Sequence, residues 1–154
     1  MRKTTIPTEK DWGDYQSDPD AKYAHDLFAG HTNEEVQPHF RANPIERTSE
    51  LLLMPEIPFR YYIIGFRDAV MAGAFEHLEA ANAASCFLRL ILEKLEKEPQ
   101  HIIPVMPQLM EAIDHIAKNQ SLFEADEDIY GNFLEMSARI HASIRPTIKD
   151  RSSS

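Results

Sequence analysis

The stretch FRYYIIGFRDAVM, residues 59–71, decides the fold because it is apolar on two opposite sides of a predicted helix. At 3.6 residues per turn, one face carries five apolar side chains, which are Phe59, Tyr62, Ile63, Phe66 and Val70. The opposite stripe combines two apolar residues with two arginines, in the order Arg60, Ile64, Arg67 and Met71. A helix of this kind has little surface left for solvent. We therefore place it at the centre of the protein, opened by Pro58.

Three more helices are predicted by apolar residues that recur every three or four positions. One covers residues 83–97 with a wide apolar stripe, and the next begins at Pro104. A last helix follows the capping box Ser121–Glu124 and should place Ile129 and Leu134, among others, on its inward face. Since no segment alternates strictly over the length of a strand, the sequence predicts an all-α protein with a bundle of four longer helices.

Prolines separate this bundle from the first part of the chain. Six of the ten prolines lie in residues 1–58, and none lies between 59 and 98. The pairs Asp18–Pro19 and Asn43–Pro44 each combine an N-cap with a proline in the first turn, so each opens a short predicted helix. The capping box at Thr32 opens another short helix, which Pro38 limits to about two turns.

On this basis we expect one domain over residues 1–154. Residues 1–43 form a proline-rich arm with short helices, residues 44–145 the helical bundle, and residues 146–154 a frayed tail. The arm contains large apolar side chains, in which disordered tails are poor: Trp12, Tyr15, Tyr23, Leu27, Phe28, Val36 and Phe40. We therefore expect the arm to be ordered, with these side chains packed on the bundle or on a second subunit.

Charge and composition exclude several classes of protein. With 16 basic and 25 acidic residues the net charge is −9, so the chain lacks the basic surface that nucleic acids and anionic membranes attract. No apolar stretch follows the charged residues 1–7, and no run of about 18 apolar residues occurs, so we expect neither a signal peptide nor a membrane span. The single cysteine, Cys86, excludes an intramolecular disulfide and fits a core position. We expect a cytoplasmic protein.

The two arginines of the central helix are the first candidates for a binding site. A buried guanidinium has to be paired, and its planar fork suits a carboxylate or a phosphate. One interpretation of Arg60 and Arg67 is a structural salt bridge to a carboxylate elsewhere in the chain. The other is a pocket for an anion or a partner's carboxylate, lined by both arginines and Tyr61.

Potential metal ligands are densest in the arm, which contains His25, Asp26, His31 and His39. Their spacing matches no metal motif, and these histidines are equally able to bond backbone carbonyls. Residues 126–131 match an EF-hand loop in part but lack its bidentate glutamate, so we interpret them as a helix cap. We predict no metal and no cofactor.

Two functions remain open from the sequence. The first is a non-catalytic protein–protein interaction or regulatory module, which binds another protein or itself as a homo-oligomer. The absence of a recognisable catalytic motif favours it. The alternative is a small enzyme or ligand-binding protein with an anion-recognising pocket between the arm and the bundle. There Arg60, Arg67 and Tyr61 would hold the anion, and His25 or His31 would transfer protons.

Overall fold

The structure is a computed structural model that describes residues 5–73, 75 and 79–153, with side chains described as far as residue 144. Single 3-10 turns cover Glu9–Trp12 and Ile103–Val105. The α-helices are α1 (Pro19–Phe28), α2 (Gln37–Ala42), α3 (Pro44–Leu53), α4 (Glu56–Ala72), α5 (Glu79–Lys97), α6 (Pro99–Ile102), α7 (Met106–Lys118), α8 (Glu127–Tyr130) and α9 (Phe133–Ser153). These described residues contain no β-strand. The predicted all-α class is confirmed.

Helix α4 is the central element, as residues 59–71 predicted. Its apolar face is removed from solvent, with exposures between 0% and 1% for Phe59, Tyr62, Ile63, Phe66 and Val70. It contacts α2, α3, α5, α6 and α7. The helix ends at Gly73, which adopts a left-handed φ of 66° and donates its N–H to the carbonyls of Ala69 and Val70.

The four longest helices contact one another in a closed ring, because α4 and α9 each pack against both α5 and α7. Helix α3 packs on α5 outside this ring, and α1 packs on α3. The boundaries proposed at residues 43 and 145 stay a prediction. Helix α9 is continuous to Ser153, past the point where a frayed tail was expected.

The predicted start of the helix after Ser121 is wrong. Residues 120–124 form turns, and Glu124 adopts a left-handed φ of 55°, so no helix grows from that capping box. A second break at Gly131, with φ 88°, separates α8 from α9. Because of these breaks Ile129 and Leu134 do not face inward, and they are 68% and 63% exposed.

Four other helix starts differ from the sequence-based bounds. Turns follow the capping box at Thr32, and α2 begins at Gln37 with Pro38 in its first turn. Helix α4 begins at Glu56, two residues before Pro58.

Helix α5 begins at Glu79, four residues before the predicted 83–97, since alanines extend its first turn. Helix α7 begins at Met106, because Pro104 lies in a 3-10 turn and Pro107 occupies the first turn of the helix instead.

Aromatic side chains join the arm to α4. Phe28 packs against Tyr62 and Phe40 stacks on Phe66, with ring centroids 4.9 and 5.1 Å apart. The Tyr62 hydroxyl lies 2.6 Å from the carbonyl oxygen of Phe28 and 2.7 Å from that of His31. Burial raises the pKa of Tyr62, so this hydroxyl stays a hydrogen-bond donor. Of the arm's apolar residues, Trp12, Phe28, Val36 and Phe40 are buried. Tyr23, also expected on the bundle, is 55% exposed.

A second contact of the arm depends on a glycine of α4. Asn33 donates from its side chain to the carbonyl of Tyr61 at 2.9 Å, and Gln37 donates to the carbonyl of Gly65 at 2.9 Å. A Cβ on Gly65 would lie 2.2 Å from the Asn33 Oδ1 atom. Glycine is therefore required for the arm to approach this closely. Together with the aromatic packing, these bonds make up what we call the arm–α4 contact.

Candidate functional site

Arg60 is bonded to two carbonyls near the end of α6 and to a carboxylate of its own helix. Its Nε donates to the His101 carbonyl at 3.0 Å, and its Nη2 donates to the Gln100 carbonyl at 2.6 Å. The same Nη2 also pairs with Glu56 one turn earlier. This guanidinium, 27% exposed, ties α4 to α6. The carboxylate partner of Arg60 is thus on its own helix, and its contacts to another helix are to backbone carbonyls.

Arg67, two turns later on α4, makes similar bonds, but its carbonyl partner lies in α7. Its Nη1 donates to the Gln108 carbonyl in α7 at 2.9 Å, and its Nε and Nη2 donate to Asp68 at 3.0 and 2.7 Å. The Arg67 side chain is 28% exposed and the Asp68 side chain 50%. The partner carboxylate is thus near the surface and not in the core.

A cleft of about 360 Å³ lies between the arm and α4, where the sequence suggested a pocket. Arg60 and Tyr61 line it, but Arg67, His25 and His31 do not. We call it the arm cleft, with the further lining residues Thr5, Asn33, Ile57, Ile64, Val105 and Gln108. The Tyr61 hydroxyl accepts a hydrogen bond from the N–H of Asn33, which also lines the cleft, at 3.2 Å.

His25 is held between two carboxylates of the arm. Its Nε2 lies 2.9 Å from Glu9 and its Nδ1 lies 3.0 Å from Asp26, while its ring stacks on Tyr15. Burial alone would lower the pKa of His25, but the hydrogen bonds to Glu9 and Asp26 raise it. His25 bonds the Glu9 carboxylate, as does Tyr15, and these bonds lower the pKa of Glu9. Both ring nitrogens are occupied, so proton transfer to a substrate would first require this contact to open.

The other candidate ligands do not converge on a metal position. His31 is half-exposed with its Nδ1 3.8 Å from Glu35. Asp126 accepts a hydrogen bond from the Asp128 N–H at 2.8 Å, which is the cap predicted for residues 126–131. Among the residues that the structure describes, no group of three His, Cys, Asp or Glu side chains could hold a metal ion. Cys86 is partly buried against the core, and burial raises the pKa of its thiol.

Sequence reasoning missed buried charge at two places, first an ion pair within α3 and second a lysine of α5 beside it. Arg47 and Glu50, three residues apart, form an ion pair of 2.6 Å with side-chain exposures of 7% and 8%. Burial raises the pKa of Glu50, although Arg47 beside it favours the carboxylate. The i, i+3 spacing of opposite charges was a readable signal for this pair.

Lys94 is the second missed charge, with 1% of its side chain exposed. Its ammonium lies 2.7 Å from Glu98, 3.3 Å from the Leu52 carbonyl and 3.4 Å from the His101 Nδ1 atom. It also lies 4.6 Å above the ring of Phe59. Through these contacts the Lys94 side chain connects α3, α5 and α6, and its amine is surrounded by groups of the fold.

Apolar side chains are left to solvent on the neighbouring surface of α3. Ile45 and Leu53 are 53% and 45% exposed, and Ser49 lies between them at helical spacing. Tyr23 of α1 is 55% exposed beside this stripe. Because α3 contacts α1 on one side and α5 on the other, these residues belong to one surface built by three helices.

Two clefts of about 350 Å³ each run along α3, and both are lined by Ser49 and Leu53. The cleft toward α1 adds Asp20, Tyr23, Glu46 and Glu50, and the cleft toward α5 adds Leu52, Glu93, Lys94, Lys97 and Glu98. Five carboxylates and two amines therefore surround the apolar stripe. We call this surface, from Asp20 and Tyr23 across Ile45–Leu53 to Glu93–Glu98, the acidic face.

The basic groups on the acidic face already have acidic partners. Lys97 pairs with Glu93 at 3.2 Å, Lys94 pairs with Glu98 at 2.7 Å, and Arg47 beneath the surface pairs with Glu50 and Glu46. Glu46 keeps 63% of its side chain exposed. The surface consequently presents apolar side chains within a rim that has excess negative charge.

Comparison of the chain with protein-family models, with curated proteins and with solved structures finds no match in any of the three. Within the described residues, no helix is both long enough and apolar enough to cross a membrane.

Proposed function

We propose that this chain is a non-catalytic protein-interaction module of the cytoplasm, which binds its partner through the acidic face. One observation carries the proposal: the large apolar side chains of Tyr23 and Leu53, on two helices, stay about half exposed in one cleft, and Ile45 stays exposed two turns before Leu53 on α3. An apolar cluster inside a polar rim is the usual composition of a protein-binding surface.

Several polar groups that could serve catalysis support the same proposal, because they are engaged within the fold, and half-exposed His31 is the exception. Arg60 and Arg67 bond backbone carbonyls of neighbouring helices, and both nitrogens of His25 face carboxylates. Lys94 is surrounded by acceptors. A catalytic site needs a nucleophile or base that is free to reach a substrate.

Photo-crosslinking of the full chain tests this function in the cells that produce it. A photoreactive amino acid replaces Ser49 on the acidic face, and in a matched control it replaces Ser143, an exposed serine of α9. We expect an adduct with a protein at position 49 that the change Leu53→Ala abolishes, and none at position 143. An adduct of twice the chain mass identifies a second copy and supports self-association. Absence of any protein adduct at position 49 contradicts the proposal.

The second candidate is a ligand-binding protein that holds an anion in the arm cleft. One observation favours it, namely that Arg60 and Tyr61 both line a cleft between the arm and α4. Against it, Glu56 already neutralises the Arg60 guanidinium, and two carbonyls occupy its Nε and Nη2.

Inorganic phosphate is a direct probe of this second candidate. If the arm cleft binds anions, phosphate should raise the melting temperature of the protein, and Arg60→Gln should remove that effect. Arg89→Gln is the matched control, because Arg89 also bonds a carbonyl, that of Tyr130, but lies outside the arm cleft. As a non-catalytic interaction module, the protein should show no phosphate-dependent shift in any of the three forms.

A further inference from the structure

We propose that the occupant of the acidic face is a basic amphipathic helix of a partner protein. This inference rests on the proposed function and adds the chemistry of the partner. It takes its support from two independent properties of the face, which are the spacing of its apolar groups and the sign of its charge.

The spacing of the apolar groups fits a helix. Ile45, Ser49 and Leu53 follow one another at intervals of four residues, so the stripe is about 12 Å long at 1.5 Å per residue. A partner helix presents its own apolar side chains at the same interval of three or four residues along one side. The small Ser49 side chain lines both clefts and leaves room between the two larger groups for an inserted side chain.

The charge of the face selects a basic partner. The rim contributes Asp20 and Glu46 on one side of the stripe and Glu93 and Glu98 on the other. Its only amines, Lys94 and Lys97, are paired with Glu98 and Glu93. On the α5 edge these two pairs balance, so the excess negative charge lies on the α1 edge, at Asp20 and Glu46. Lysine or arginine residues on that side of a partner helix would meet opposite charge, which accelerates association and disfavours acidic competitors.

The same charge argues against a second copy of this chain in a two-fold contact. Such a contact buries the same patch of both copies, so it would bring together two rims that each have excess negative charge. The whole chain is also acidic, with a net charge of −9. The acidic rim would attract a basic segment of another protein and would repel the acidic rim of a second copy.

Synthetic peptides test the inference on the full chain by fluorescence anisotropy. The probe is a helical peptide of about 14 residues with leucines on one side and lysines elsewhere. A second peptide replaces every lysine by glutamate, and a third scrambles the first so that its charge stays but its apolar side is lost. We expect the first peptide to bind at least about tenfold more tightly than either of the others, with an affinity that decreases as salt is added.

Paired variants locate the binding. Leu53→Ala should weaken the lysine peptide about tenfold, whereas Leu134→Ala, a truncation of another exposed leucine, should leave it unchanged. Glu46→Lys should weaken the lysine peptide and strengthen the glutamate peptide. Glu46 is exposed at the surface, so this charge reversal is compatible with folding.

The outcomes separate this inference from the proposed function. The inference of a basic partner is overturned if the lysine and glutamate peptides bind equally, or if Leu53→Ala does not change the affinity. In that case crosslinking at position 49 can still detect a partner, and the proposed function stands. If no peptide binds and the chain dimerises through Leu53, a second copy is the occupant and only the inference fails. If no peptide binds and no crosslink forms at position 49, both fail.

Discussion

The arm–α4 contact and the acidic face are built from the same kinds of side chain. The first buries its apolar side chains and bonds its polar ones, whereas the second leaves apolar side chains exposed. In the arm–α4 contact, Phe28 and Phe40 are fully buried against the aromatic rings of α4, and Asn33 bonds its backbone. On the acidic face, Tyr23 and Leu53 remain about half exposed. Side chains that are satisfied inside the chain explain stability. Side chains that the fold leaves unsatisfied point to an external partner.

The largest expected contrast comes from shortening one apolar side chain in each region. Phe40→Ala removes a fully buried ring that stacks on Phe66 and should cost about 3–5 kcal/mol of unfolding free energy. Leu53→Ala, on the acidic face, should cost less than about 1 kcal/mol because the side chain is already half in water. Urea denaturation of both variants measures this. Similar losses would show that the acidic face is part of the core.

The glycine of the arm–α4 contact provides a second, smaller effect. Gly65→Ala gains helix propensity but forces its Cβ against Asn33, so we expect a net cost of about 1–3 kcal/mol. Asn33→Ala removes the Oδ1 and Cγ atoms and leaves a Cβ 3.1 Å from the added one. Gly65→Ala should therefore cost less when added to Asn33→Ala than in the original chain, which thermal unfolding of the four forms would measure. Additive losses would mean that the clash is not with Asn33.

The third prediction concerns Arg67, for which the sequence alone suggested a larger role. A partner buried in the core would have made Arg67→Ala very costly, but Asp68 is half exposed. We expect a loss of about 1 kcal/mol, mostly from the bond to the Gln108 carbonyl, and about 0.5 kcal/mol for Asp68→Ala. A loss of several kcal/mol for Arg67→Ala in urea denaturation would contradict this surface position.

The smallest effect is the pH dependence from His25. Its pKa is raised in the folded chain, so its contribution to stability is complete below the unfolded value near 6.5 and disappears as pH rises through the folded value. The pKa of Glu9 is lowered, and its contribution persists across this range. Burial lowers the pKa of His39, which gives the opposite slope.

Comparison with His25→Gln isolates the His25 contribution from that of His39. As the pH rises from about 6 to about 8, the melting temperature of the variant should decrease by less than that of the original chain. The measurement is a pair of thermal melts at each pH. An identical pH dependence in the two proteins would show that His25 does not hold its proton through Glu9 and Asp26.

Periodicity was sufficient to predict the all-α class and the central position of α4. The apolar residues of 59–71 repeat at helical spacing on two sides, and a helix with that pattern can only lie within the protein. Caps were reliable where a proline fixed the first turn, as at Asn43–Pro44. They failed at Ser121, where the chain forms turns and Glu124 adopts a left-handed φ of 55° although it is not a glycine.

The candidate site was less predictable for a physical reason. The pattern of α4 placed Arg60 and Arg67 in partly buried surroundings. Each donates to a backbone carbonyl about forty residues further along the chain. Every residue has such a carbonyl, so the side-chain pattern could not predict which one accepts the bond. The acidic face likewise depends on α1 and α5 packing on either side of α3. For this segment the sequence predicted only a short helix opened by Asn43–Pro44.

The most direct test of the account is to map the lysine–leucine peptide on the full chain by NMR. We predict that the amide signals of residues 45–53 and of Tyr23 shift in proportion to bound peptide, while those of Asn33 and Gly65 do not. Leu53→Ala should remove the shifts at the same peptide concentration. Shifts centred on the arm cleft, or shifts on α3 that survive Leu53→Ala, would contradict the claim that the acidic face is the binding surface.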